Sequence, residues 1–159
     1  MEEAVKTIAQ QVITMKRNWP RFEVADQTAD SVIWFGLLAG IEKPYRLMIE
    51  YGLPRDPVND PMSRRFPLVR VVTPKLKANF DASEEAPLPH VYFDQEDLLN
   101  SPLCLFDPNT DKWSHNSFIA LTTIPWAAEW LACYEGWLAT GKWFGGGRHA
   151  SPKVEGAVQ

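Results

Sequence analysis

The sequence is poor in the residues that most often carry a recognisable chemistry. Two cysteines, Cys104 and Cys133, are too few for a disulfide framework. Three histidines are present, and no Cys-x-x-Cys or paired His/Cys spacing offers a ligand set, so neither a metal site nor a bound cofactor is expected. The run Gly145-Gly146-Gly147 is not followed by Lys-Ser/Thr, which excludes a phosphate loop. A formal charge of −4 gives no electrostatic pull toward nucleic acid or an anionic membrane surface. No apolar run approaches membrane-spanning length, and Lys6, Gln10, Gln11 and Lys16 interrupt the start, where a signal peptide needs an unbroken apolar core. These absences lead us to expect a soluble, cytoplasmic protein of one domain, with neither nucleic acid nor membrane as partner.

What the chain does have is apolar and aromatic. Hydrophobic residues make up 45% and tryptophan occurs seven times, enough for a substantial core. Val5, Ile8, Val12, Met15 and Trp19 recur at spacings of three and four, which predicts an amphipathic helix over residues 3–18, ended by Pro20. Arg21–Ala25, Val32–Leu38 and Tyr45–Tyr51 read as short strands joined by tight turns, and therefore as an antiparallel meander. Residues 52–67, with four prolines, read as a loop crossing the sheet face or edge. Leu68–Thr73 is a fourth strand. Residues 74–89, with Asp81, Glu84 and Glu85 close together, read as a solvated insertion. A second helix follows Pro125, with Thr122 or Thr123 as its cap and Gly141 as its stop. Its stripe of Trp126, Trp130, Tyr134 and Trp137 has the spacing of core packing against a sheet, with Cys133 as a small buried thiol beside it. The fold class is α+β, with a domain over 1–149 and a tail over 150–159.

Between the fourth strand and the last helix lies His90 to Trp113, HVYFDQEDLLNSPLCLFDPNTDKW, which is too irregular for one helix or strand. Cys104 sits at its centre. Between Leu103 and Leu105, on local sequence alone, it reads as a buried strand cysteine; the irregular backbone around it would instead let its side chain face solvent. Asp107-Pro108-Asn109 is a turn signal. Asp107 and Asp111 could also orient or deprotonate an incoming amine. His115 reads as a surface residue, and His149, behind three glycines, as part of a solvated tail, or else of a flexible arm that could fold over the thiol.

Helix, four-stranded meander, proline-rich stretch, histidine, cysteine-leucine pair and tryptophan, in that order, resemble the ubiquitin-conjugating enzyme fold. The resemblance rests on Phe66-Pro67 leading into Leu68–Thr73, His90, Cys104-Leu105, Trp113 and the helix after Pro125. Its intervals are fourteen residues from His90 to Cys104 and nine from Cys104 to Trp113. Trp137, Trp143 and Gly145-Gly146-Gly147-Arg148-His149 make it most similar to stand-alone conjugating proteins of short type II CBASS anti-phage operons. The resemblance implies a transfer enzyme in which Cys104 forms a thioester with the carboxy terminus of a partner, a cGAS-like nucleotidyltransferase, and passes it to a lysine of a target protein. It also implies that His90 belongs to the active-site segment, as a catalytic group or as a pin for the loop. Where the family has His-Pro-Asn, this chain has His90-Val91-Tyr92. Asn100 and Asn109 are candidate replacements for the missing asparagine. Two other classes stay open: a non-catalytic binding module of the same fold, and a cysteine hydrolase pairing Cys104 with His115 or His149.

Overall fold

The computed structural model describes residues 4–84, 86–92 and 96–144. Its elements are helix α1 (Ile8–Asn18), strands β1 (Glu23–Gln27), β2 (Ser31–Ala39), β3 (Pro44–Gly52) and β4 (Leu68–Thr73), and helix α2 (Thr123–Thr140). The strands form one antiparallel sheet in the order β1-β2-β3-β4. This is the expected α+β meander between two helices.

Helix α1 begins at Ile8, not at residue 3, because Thr7 and Gln10 close a capping box. The Gln10 N–H donates to the Thr7 hydroxyl at 3.0 Å, and the Thr7 N–H donates to the Gln10 side chain at 2.8 Å. Val5 therefore precedes the helix and is 50% exposed. Gln11 is buried with Ile8 and Met15. Its amide donates to the Ser117 carbonyl at 2.8 Å and accepts from the Ile119 N–H at 3.0 Å. A polar residue thus fixes α1 to the segment that leads into α2.

β1 starts at Glu23, two positions later than its apolar pattern suggested, because Phe22 turns inward over Gly36. A Cβ at Gly36 would lie 2.4 Å from the Phe22 ring, so only glycine fits there. The proline-rich stretch does not cross the sheet, since β3 and β4 are direct neighbours. It closes one end instead. There Arg64 donates to the Leu53 carbonyl at 2.8 Å, and Arg55 and Arg64 both pair with Asp30 in the β1–β2 turn.

Trp130, Leu131, Tyr134 and Trp137 of α2 are buried in one core with the inward residues of the sheet, among them Trp34, Leu47, Ile49 and Val69. Gly141 ends the helix in the left-handed region at φ 79°. Thr122 stands at the other end, but its hydroxyl does not cap. It donates to the Phe118 carbonyl at 2.8 Å and accepts from Trp113 Nε1 at 3.1 Å. Glu135 is the polar member that helical periodicity did not reveal, 8% exposed among aromatics. Its carboxylate accepts from the Ile41 N–H at 2.6 Å, the Glu42 N–H at 3.1 Å and the Tyr45 hydroxyl at 3.0 Å, tying α2 to the β2–β3 hairpin. No described helix is long and apolar enough to cross a membrane.

Glu135→Leu would strand three donors at the hairpin. We expect a cost of about 2 kcal/mol, read as a fall in the thermal midpoint of roughly 5 °C. An unchanged midpoint would show that water replaces the carboxylate at no cost.

Candidate active site

The stretch after β4 is largely exposed, as expected of a solvated insertion, but it is fastened to the core at a few points. Leu76 and Leu88 are buried in the core, and the Asn79 N–H donates to the Pro87 carbonyl at 2.8 Å to close the loop between them. Buried backbone polar groups need partners, and α2 supplies them from successive turns. Trp137 Nε1 donates to the Glu84 carbonyl at 2.8 Å, the Tyr134 hydroxyl accepts from the Lys77 N–H at 2.7 Å, and Trp130 Nε1 donates to the His90 carbonyl at 2.9 Å. The stripe expected to be core packing is also a row of polar tips. Asp81 and Glu84 are exposed, and Glu85 lies outside the described residues. Among the described residues, no group of three or more His, Cys, Asp or Glu could hold a metal ion.

Cys104 lies in a short paired piece of backbone. Val91 and Leu103 form an antiparallel bridge. The Cys104 N–H donates to the His90 carbonyl, the Tyr92 N–H to the Pro102 carbonyl and the Leu103 N–H to the Val69 carbonyl of β4, each at 2.8 Å. The segment is thereby fastened to the free edge of β4. Its thiol does not face solvent, as the irregular sequence suggested it would. Cys104 is 5% exposed, and its Sγ–H donates to the Phe106 carbonyl at 3.5 Å. Extended pairing turns this side chain inward, as the flanking leucines by themselves suggested.

His90 is held at φ 54°, a left-handed conformation costly for a residue with a Cβ. Its carbonyl accepts from both Cys104 N–H and Trp130 Nε1, which over-determines that conformation. Its ring, in a residue 8% exposed, stacks on Trp143 at 4.5 Å, and Trp143 meets Trp130 edge-on at 5.5 Å. This is the geometry of a pin that acts through the backbone.

Beside the thiol is a wall of aromatic rings. Phe66 meets Tyr92 at 5.6 Å and Phe106 edge-on at 5.3 Å, and Phe106 meets Trp126 at 5.7 Å. With Leu105 and Thr123 these rings line a small recess. Tyr92 belongs to this wall and also to the thiol. Its phenol is held well above its ordinary value of 10.0, first by burial and then by the charge and hydrogen bonding of Cys104. In the sequence Tyr92 stood out only as a departure from a family motif. Its alternation with His90 was the available signal, because pairing residue 91 with 103 sets 90, 92, 102 and 104 on one face.

The other candidates are spread more widely. Asp107 forms the turn: its carboxylate accepts from the Asn109 N–H at 2.9 Å and its carbonyl from the Thr110 hydroxyl at 2.7 Å. Its charge also reaches Tyr92. Asp111, Asn100 and Asn109 are exposed. His115 is half-buried rather than on the surface, with Nδ1 2.7 Å from the Tyr51 hydroxyl and its ring 5.4 Å from Trp113. Cys133 is also half-buried, its thiol pushed up by burial and then by Glu129. His149, the glycine run before it and the tail over 150–159 lie outside the described residues.

A family model described as type II CBASS E2 protein matches residues 11–150. No curated protein matches the chain.

Two outcomes follow from this geometry. Trp130→Phe removes one of the two donors on the His90 carbonyl at a cost of about 1 kcal/mol, so the Cys104 amide should exchange with deuterium roughly fivefold faster; unchanged exchange would show that the pin does not depend on the indole. Burial lowers His115 below its ordinary 6.5. The unfolded chain therefore takes up a proton that the folded chain refuses, and stability should be lost as pH falls below about 6.5. His115→Gln, followed by urea melts across pH, should flatten that loss.

Proposed function

Because this chain belongs to the type II CBASS E2 protein family, whose setting is anti-phage defence beside other proteins of its operon, we propose that Cys104 is an acyl carrier. The observation that carries this reading is the placement of Cys104 itself. Its N–H is locked to the carbonyl of a strained His90, its sulfur is hydrogen-bonded to the Phe106 carbonyl and acts on the Tyr92 phenol, and the whole piece is anchored to β4 and α2. A thiol fixed this firmly outside the regular elements is what acyl transfer requires, since its carbonyl cargo must be held in one orientation while an amine approaches.

The reaction proceeds in two steps. The Cys104 thiolate attacks the activated carboxy-terminal carbonyl of a partner, an adenylate or a thioester, and the activating group leaves with the bonding pair. A lysine amine of the target then attacks the thioester carbon. The new C–N bond forms, the C–S bond breaks with its pair on sulfur, and the surplus amine proton passes to solvent. The donor partner is a cGAS-like nucleotidyltransferase, and the modification primes its signalling. Asp107 and Asp111 are the carboxylates that would orient the amine. His90 holds the nucleophile's backbone. The Sγ–H must first leave the Phe106 carbonyl, because a thiolate there would face the negative end of a dipole.

The closed thiol also favours a second reading, a binding module of this fold that recruits a partner without chemistry. The two separate on Cys104. Incubation with the partner and an activating nucleotide should give an adduct that is cleaved by reducing agent, lost in Cys104→Ala, retained as a reductant-stable ester in Cys104→Ser and unaffected by Cys133→Ala. No adduct on the intact protein, with partner function unchanged in Cys104→Ala, would replace the acyl carrier with the binding module.

A further inference from the structure

The Tyr92 hydroxyl has no evident structural task. It is closed off from solvent and has no partner at ordinary hydrogen-bond geometry among the described residues, although Cys104 lies near enough to raise its phenol. A buried hydroxyl in that state is destabilising, and replacement by phenylalanine would remove the penalty without disturbing the ring's contact with Phe66. Such a group invites the question of when it becomes satisfied. Pairing of Val91 with Leu103 sets Tyr92 diagonally from Cys104 on one face of the paired segment, a separation that an aromatic side chain can span. The thiol presents its own proton to the Phe106 carbonyl. With sulfur protonated, its proton is directed to the Phe106 carbonyl and not to the phenol.

That relation changes when sulfur becomes an anion. A thiolate has no proton for the Phe106 carbonyl and turns away from it. A phenol O–H on the same face can then donate to the charged sulfur, a bond stronger than one between neutral groups. Burial and the neighbouring charges of Cys104 and Asp107 hold the Tyr92 phenol protonated throughout the neutral range, so the hydroxyl can donate a hydrogen bond without giving up its proton.

We propose that Tyr92 is a catalytic residue whose hydroxyl hydrogen-bonds the Cys104 sulfur in its thiolate state, both as the attacking nucleophile and as the leaving group. This rests on the acyl-carrier reading of Cys104. In the first step the bond favours ionisation of the thiol, whose proton goes to solvent. In the second, the amine adds to the thioester carbon, the C–S pair moves onto sulfur, and the phenol accommodates that charge while keeping its own proton. Tyr92 thus acts on sulfur, and the carbonyl oxygen of the acyl group is left to other donors.

The deciding experiment is Tyr92→Phe in the full chain, with the thiolate followed by its ultraviolet absorbance against pH and Cys104→Ala as the blank for each protein. Loss of one charge-assisted hydrogen bond should raise the Cys104 titration midpoint by about one unit. It should also slow both loading by the activated partner and discharge to a lysine-bearing target roughly tenfold at neutral pH, with loading recovering as pH rises and more thiolate forms. Thermal melts run alongside establish that the ring still packs. A Cys104 titration identical in the two proteins, with Tyr92→Phe merely more stable, would overturn the proposal and leave the hydroxyl as an unsatisfied core group. The acyl-carrier reading fails separately, by the absence of any adduct on the wild-type chain. The titration decides the Tyr92–sulfur bond whether or not an adduct forms.

Discussion

The long irregular stretch between β4 and α2 is held in place by the polar tips of buried aromatics. A backbone without a helix or a sheet ladder must find other partners when it is buried. Here Trp137, Tyr134 and Trp130 meet Glu84, Lys77 and His90 in turn along α2. Each bond contributes only about 1 kcal/mol, but each also fixes where the chain passes. Tryptophan and tyrosine suit the task because one side chain both fills core volume and carries a polar atom at its rim. Trp19 and Trp113 repeat the device nearby, donating to the Ala120 carbonyl and the Thr122 hydroxyl at the entry to α2. The tryptophan content of the chain is therefore partly a substitute for secondary structure.

His90 is where this scaffold meets the chemistry. Its carbonyl accepts from both Trp130 of α2 and the Cys104 N–H, so the helix and the backbone of Cys104 meet on one carbonyl. A left-handed φ at a residue with a Cβ persists only when its surroundings impose it. Two donors on its carbonyl and a stacked Trp143 impose it here. The role of this histidine is then expressed through main-chain geometry, and its ring contributes packing with Trp143.

Much of the fold was legible because its determinants are local. Alternation marked β2, β3 and β4, Pro20 marked the end of α1, and Gly141 the end of α2. Errors arose where a contact from far along the chain decided the matter. The start of β1 depends on Phe22 finding Gly36, the proline-rich stretch on β3 and β4 being neighbours, and the hairpin clamp on Glu135 meeting Ile41 across more than ninety residues. The site divided in the same way. Cys104 stood out through the family resemblance and its burial through the flanking leucines, whereas its relation to Tyr92 follows from a bridge between residues 91 and 103 that no local pattern specifies.

Tyr92 also bears on why the family motif can depart from His-Pro-Asn without emptying the site. An asparagine carries a short amide that must be brought to its target by the backbone. A tyrosine reaches several ångströms further, and its ring can be anchored independently, here against Phe66. The departure exchanges a polar group positioned by the loop for one positioned by the core. It also alters the electrostatics, because a phenol held protonated beside Asp107 donates a hydrogen bond but is a poor base for an incoming amine. Work on the amine must then come from a carboxylate, and Asp107, whose charge already reaches Tyr92, stands nearest in the chain to that role. On the proposed reading the labour divides: the phenol would attend to sulfur, and a carboxylate of the turn beyond Cys104 to the amine.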